Sequence, residues 1–343
     1  MKQYAPLALY LVFSNTVFAA PLRLHNRLVF TRGEKLLHSE MVWTMNAEGG
    51  EQKRVWRVPS GYGQFGGFSS DGKSALSFNP YNIYLHDLQT KRIQHVLVWS
   101  GGWSPYISRP LFSPDGQQIL CEVGNFNQNT SYSEVLRLQV GKSYSVLNGL
   151  NAQKLLPVGE SVPPKNLWSE PCWSADGKRI VVVGGPSYSL IRSASNQANA
   201  QAEIWTMNTD GTAARQITRN PAWDLQPTLS PNGKQIAFVR RVAIDQSDVD
   251  EYASNLWIID STNGTEKQLT FFPETYYEML AKNIYAQVST PLFSPNGAML
   301  AFEQATGQRW GKEQKILRGI YRIGINGKTT KRLSDGDLVQ WIP

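Results

Sequence analysis

Cysteine and histidine are scarce in this 343-residue chain, which holds two of the first and four of the second. Two cysteines cannot make the disulfide framework of a small secreted scaffold. Cys121 and Cys172 fall in expected strands of consecutive repeating units, so a bridge between them and a pair of buried thiols both stay open. His25, His38, His86 and His95 lie within or beside expected strands of the first part of the chain and do not gather, which argues against a metal site built from histidines. The chain has no G-x-S-x-G elbow, no H-E-x-x-H pair and no cysteine pair at zinc spacing. No catalytic residue, metal or cofactor is therefore assigned. Lys and Arg number 34 against 27 Asp and Glu, a formal charge of +7 with no block of like charges. That balance fits solubility and weak attraction to acidic partners rather than nucleic-acid binding.

Long apolar runs are also missing, apart from one at the start. Lys2 precedes an apolar stretch from Ala5 to Phe13, and Val17-Phe18-Ala19 puts small residues where a signal peptidase cuts. Ser14, Asn15 and Thr16 interrupt the run before it reaches the ~20 residues of a membrane span. Residues 1–19 read as a secretory signal cleaved after Ala19, with the mature domain over residues 20–343.

What the sequence does have is a repeated turn. Ser113-Pro114-Asp115-Gly116 recurs closely at Ser230 to Gly233 and Ser294 to Gly297, and in degenerate form at Ser69 to Gly72 and Ser174 to Gly177. Pro presets φ for the second position of a tight turn, Asp or Asn tolerates the next, and Gly accepts positive φ. An alternating apolar run follows each copy, such as Gln235-Ile236-Ala237-Phe238, and reads as the second strand of a hairpin. A further strand follows six times: at Val42 to Asn46, Ile83 to Asp87, Val135 to Gln139, Ile204 to Asn208, Leu256 to Asp260 and Ile320 to Gly324. Most copies then turn on a short Gly-containing corner into a fourth strand. The unit is a four-stranded antiparallel meander.

Such a meander cannot bury both faces alone, and repetition at this period points to a β-propeller. The corner residues Asp71, Asp115, Asp176, Asn232 and Asn296 are 44, 61, 56 and 64 apart. Six third strands and roughly 54 residues per blade give an all-β, six-bladed propeller filling the mature chain. Five corners serve six units because the last segment, Asp337 to Pro343, reads as a first strand and Arg27 to Phe30 as a second strand without its first. The two chain ends are expected to pair in one blade and close the ring. Trp43, Trp205, Trp257 and Tyr321 share one column of the third strand and are expected to pack between blades.

Long connections are expected at 184–202, 240–254 and 304–318 between second and third strands, and at 100–108, 157–168 and 271–288 between blades. All emerge on one face, and repeat proteins put their binding loops on such a face. It would present Trp103, Tyr106, Arg109, Lys165, Trp168, Arg219, Trp223, Asp224, Tyr276, Tyr277, Tyr285, Arg309 and Trp310, rich in the Trp, Tyr and Arg of interface hot spots. Lys73, Lys178 and Thr212 fall on the opposite, short-turn face. The acidic group Asp245, Asp248, Asp250 and Glu251 lacks the glycine and spacing of a calcium loop and reads as solvated.

The pattern F-S-P-[DN]-G-x-x-[IL]-x-F, followed by I-W-x-M-N-x-D-G and x-Q-[IL]-T, resembles the WD40-like propeller repeat of the TolB family over the whole mature chain. The resemblance implies a periplasmic, non-enzymatic propeller that binds other proteins of the cell envelope, a Pal-like lipoprotein among them, without nucleic acid or cofactor. A monomer is expected. The repeat is also similar to that of oligogalacturonate lyases and prolyl oligopeptidase-type peptidases, so the alternative is a glycan-binding or lyase-like propeller with Arg109, Lys165 and Arg309 as substrate contacts. In TolB proteins an α/β domain precedes the propeller, whereas here Leu22 to Phe30 leads directly into the first expected blade.

Overall fold

A computed structural model describes residues 22, 24–34, 39–99, 105–125, 132–146, 153–154, 168–185, 202–245, 248–274, 278, 285–307 and 316–343. The expected signal segment, residues 1–19, lies outside them. The described strands form six antiparallel sheets, the blades of a propeller. Blade 1 is β25 (Asp337–Ile342), β1 (Arg27–Glu34), β2 (Ser39–Met45) and β3 (Lys53–Arg57), in that spatial order. Its innermost strand is the C-terminal one, with Leu28 opposite Trp341 and Thr31 opposite Asp337. Closure by the two chain ends is thus as expected, and it removes the open edge a linear array of sheets would keep.

Blade 2 runs β4 (Gln64–Phe68), β5 (Ser74–Asn79), β6 (Asn82–Asp87) and β7 (Ile93–Trp99). Blade 3 has β8 (Pro105–Phe112), β9 (Gln118–Asn125), β10 (Tyr132–Gln139) and β12 (Gln153–Lys154). Between β10 and β12 the chain departs from the expected meander. Strand β11 (Tyr144–Val146) crosses to blade 2 and adds a fifth strand, parallel to β7, with Tyr144 opposite Leu97. Ser143 anchors the crossing by donating from its hydroxyl to the His95 carbonyl at 2.7 Å. Blade 4 is β13 (Trp168–Trp173), β14 (Arg179–Gly184), β15 (Glu203–Asn208) and β16 (Arg215–Gln216). Blade 5 is β17 (Trp223–Leu229), β18 (Gln235–Asp245), β19 (Asp248–Asp260) and β20 (Glu266–Gln268); blade 6 is β21 (Tyr285–Phe293), β22 (Met299–Gly307), β23 (Leu317–Gly324) and β24 (Lys331–Ser334).

Blade 5 corrects a second expectation. The stretch 240–254 is not a loop: β18 and β19 stay paired through Val242–Ala253 and on to Asp245–Asp248. Likewise β22 and β23 pair out to Thr306–Leu317. In blade 5, Val242 and Ile244 on one side and Val249 and Tyr252 on the other favour continued pairing over a free loop.

Each corner follows the chemistry of its motif. The Ser113 hydroxyl donates to Asp115 Oδ1 at 2.5 Å and accepts the Gln118 N–H, while Asp115 Oδ1 accepts the Gln117 N–H. Gly116 sits at φ +70°, where a Cβ would be strained. Ser174 with Asp176, and Ser230 with Asn232, repeat the arrangement.

Each interface between neighbouring blades is filled by a hydrophobic cluster. Ile83 and Leu97 of blade 2 meet Ile119 and Leu136 of blade 3; Leu120 of blade 3 meets Trp205 and Met207 of blade 4; Leu28 and Phe30 of blade 1 meet Ile320 of blade 6. Trp43, Trp205, Trp257 and Tyr321 each belong to one of these clusters, as their shared column implies. Cys121 is buried and Cys172 half-buried, and both thiols are free. No helix among the described residues is long and apolar enough to cross a membrane.

Candidate functional site

The first strand of each blade faces the propeller axis, and in four of them a proline stands three residues before the corner serine: Pro110, Pro171, Pro227 and Pro291. Proline cannot donate to a ladder, so inside a sheet it needs a bulge. The register shifts at each of these positions, between Ser108 and Leu111, Ser169 and Cys172, Leu225 and Thr228, and Ser289 and Leu292. The residue before each proline takes positive φ: Arg109 at +50°, Glu170 at +51°, Gln226 and Thr290 at +52°. Such backbone is disfavoured for a side chain other than glycine and persists only where the surroundings hold it.

Here the neighbouring blade holds it. The Glu170 N–H donates to Glu122 Oε2 at 3.1 Å, the Gln226 N–H to Glu170 Oε2 at 2.5 Å, and the Thr290 N–H to Gln226 Oε1 at 2.8 Å. On the other side of the ring, the Leu338 N–H donates to Glu303 Oε1, and Gln340 both accepts from the Phe68 N–H and donates to the Phe68 carbonyl. Side chains from one blade thus cap backbone donors of the next around the axis. Tyr106 donates its hydroxyl to Glu122 Oε1 at 2.5 Å. Burial pushes the Glu122 carboxyl up to about 7, against the hydrogen bond from Tyr106 and together with the charge of Glu170. Burial also raises Glu303 and Glu40.

From this polar tier to the Ser-Pro-Asp-Gly corners runs an axial cavity of about 470 Å³. Arg109, Gln226, Thr290 and Gln340 line its inner end, and Ser70, Pro114, Ala175, Pro231 and Pro295 its mouth. The wall between them carries Phe68, Phe112, Trp173, Phe293 and the four bulge prolines. Its size lies within the range of roughly 300–1,000 Å³ typical of ligand sites, and the mixture of apolar wall with a few convergent polar groups is the usual character of such sites. The cavity opens on the short-turn face.

The expected site residues scatter. Arg109 reaches the cavity and Tyr106 the polar tier. Trp168 is not presented on the long-loop face: it is 1% exposed and packs edge-on against Trp205, ring centroids 5.6 Å apart. Trp223 is likewise buried, in the cluster between blades 4 and 5. Asp224 is fully buried and clamped by Arg240 through bonds of 2.7 and 2.9 Å, with Arg240 lying over the Trp257 ring and also bound to Glu266. It ties β17 to β18 and, through Arg240, to Glu266 of β20. Arg219 is exposed. Trp103, Lys165, Tyr276, Tyr277, Arg309 and Trp310 lie outside the described residues, and Tyr285 begins β21. Sequence reasoning missed Glu122, Glu170, Gln226, Thr290, Glu303 and Gln340, although the four X-Pro pairs at fixed distance from the corner serine marked the bulges. Among the described residues no group of three or more His, Cys, Asp or Glu is placed to hold a metal.

No family model and no curated protein matches the chain. Solved structures do. A TolB-type protein of Agrobacterium tumefaciens is 16% identical with a TM-score of 0.52, over 85% of this chain and 87% of that one. TolB from Acinetobacter baumannii is 18% identical with a TM-score of 0.55, over 94% of this chain and 67% of its own. An oligogalacturonate lyase in complex with manganese is 12% identical with a TM-score of 0.54, over 90% and 74%. At such identities what is shared is the architecture, and the chain is a TolB-like six-bladed β-propeller.

Proposed function

We propose that this is a non-enzymatic protein-binding propeller of the periplasm, with a role like that of TolB and a cell-envelope protein, such as a Pal-like lipoprotein, as its partner. The observation that carries the reading is the axial cavity, an apolar, proline-rich wall ending in polar side chains and open on the short-turn face. Rigid apolar walls with a few fixed polar groups suit a protruding partner segment, because little conformational freedom is lost on the propeller side. The envelope location rests on the signal that the sequence of residues 1–19 leads us to expect and on the likeness to TolB structures.

A second contact surface is favoured by a separate observation. Among the described residues the exposed large apolar side chains are Tyr81, Phe271, Ile316 and Leu317; the first three stand in connections between second and third strands or between blades and Leu317 opens β23, all at the opposite, long-loop end of the blades. Exposed apolar groups on the face that also carries the long connections suit a contact with another protein.

The test is capture from envelope extract by the immobilised chain and by two variants. Ser70→Trp with Ala175→Trp narrows the cavity mouth at two corner positions, and Phe271→Asp with Leu317→Asp charges the other face. A protein retained by the wild type and lost by the mouth variant supports the reading. Equal retention by the wild type and the mouth variant refutes it, and loss through the Asp variant alone moves the contact to the long-loop face.

A further inference from the structure

Arg109 contributes the one charged side chain to the cavity lining; the rest is apolar, proline, or neutral polar. Among the described residues its guanidinium makes no hydrogen bond and no salt bridge. Arg240, by contrast, is fully engaged by Asp224 and Glu266. Nor is Arg109 claimed by the carboxylates of the tier behind it. Glu122 already accepts from Tyr106 and from the Glu170 N–H, and Glu303 from Ser289 and from the Leu338 N–H. Both lie close enough to feel its charge, yet burial raises both towards their neutral forms. Two more donors line the same cavity. Gln226 spends its Oε1 on the Thr290 N–H, which leaves its amide NH₂, and Thr290 adds a hydroxyl.

An arginine facing an apolar cavity is a carboxylate receptor in search of its partner, because a guanidinium offers paired N–H donors that match the two oxygens. The wall narrows the choice of carrier. In four of the six inner strands the bulge proline offers no N–H, which disfavours an incoming segment adding there as a further β-strand. A volume of about 470 Å³ holds a few side chains of one extended strand and leaves no room for both arms of a hairpin. We propose that the axial cavity seats the C-terminal end of an extended apolar polypeptide, entering from the short-turn face with its terminal carboxylate on Arg109. Gln226 and Thr290 donate to the same carboxylate, and Phe68, Phe112, Trp173 and Phe293 surround the last apolar side chains. The proposal rests on the protein-binding reading and adds to it the chemistry of what is bound.

The probe is an N-terminally labelled hexapeptide ending in Val-Phe-Leu, followed by fluorescence anisotropy with the full chain. It is prepared as the free acid, as the C-terminal amide, and as an amide carrying one internal Asp. The free acid is expected to bind at least tenfold more tightly than the amide to the wild type. Arg109→Gln is expected to bring the acid down to the amide, with thermal unfolding confirming that the variant folds; the acid-to-amide comparison on the wild type stands whatever that variant does. Equal binding of acid and amide, or no binding of either, overturns the proposal. So does an internal-Asp amide that binds as tightly as the free acid. None of these outcomes touches the capture experiment, so a protein still retained there keeps the protein-binding reading standing while this one falls.

Discussion

Glu122 gives the tier its most direct solution signature. It is 4% exposed, accepts from Tyr106 and from the Glu170 N–H, faces Glu170 and Arg109, and is raised from 4.5 to about 7 by burial first of all. A carboxyl whose folded value lies above its unfolded value keeps its proton in the folded chain while the unfolded chain has released it. Stability then falls as pH rises, over the window from about 4.5 to about 7. Each unit is worth ~1.4 kcal/mol, so between pH 5 and pH 8 this one group removes on the order of 2.5 kcal/mol. Glu122→Gln is neutral throughout and keeps both bonds, its oxygen accepting the Glu170 N–H and its NH₂ donating to Tyr106. Urea unfolding of both proteins at pH 5, 6, 7 and 8 reads the difference. The variant is expected to gain on the wild type by roughly 2–3 kcal/mol across that range. Glu40 and Glu303 titrate in the same direction and the corner aspartates in the opposite one, but they are common to both proteins and cancel. Parallel profiles for the two proteins would refute the reasoning.

Three further outcomes follow from packing and closure. Gly184→Ala places a Cβ 2.7 Å from the Trp205 ring and 3.0 Å from Trp168, two side chains held in the same cluster, and is expected to cost about 1–3 kcal/mol in denaturant unfolding. Asp224→Ala leaves the half-buried Arg240 with Glu266 alone and strips Asn220 of its acceptor, for a loss of about 3–5 kcal/mol in the same assay. Deleting residues 337–343 removes the buried Leu338, Trp341 and Ile342 and opens the edge of β1; a lower melting temperature and aggregation on size-exclusion chromatography are expected, and an unchanged melt would mean that the ring does not depend on this strand.

The corners were legible because their chemistry is local: a serine, an Asp or Asn two residues on, and a glycine satisfy one another within a single turn. Closure was legible because a first strand without its second and a second without its first have only each other to pair with. Strand β11 was not, since Tyr144 to Val146 joins the edge of a neighbouring blade and nothing in three residues specifies a partner so far away in sequence. Trp168 and Trp223 were misread as loop aromatics for a similar reason. Pairing continues through Trp168–Gly184 and Trp223–Arg241, and at Gly184 the missing side chain makes room for the Trp168 and Trp205 rings. The axial tier was missed: the X-Pro pairs offered a signal for bulges that the reading of the repeats passed over, and which way Arg109, Gln226 and Thr290 point depends on positive φ that appears only in three dimensions.

Hydrogen–deuterium exchange of the propeller, free and bound to the partner retained by capture, tests most directly whether the axial cavity is the binding site. Protection is predicted at the corner amides that ring the mouth, around Asp71, Asp115, Asp176, Asn232 and Asn296, with Phe271 and Leu317 exchanging as in the free chain. Protection confined to the segments around Phe271 and Leu317, with every corner unchanged, would contradict it.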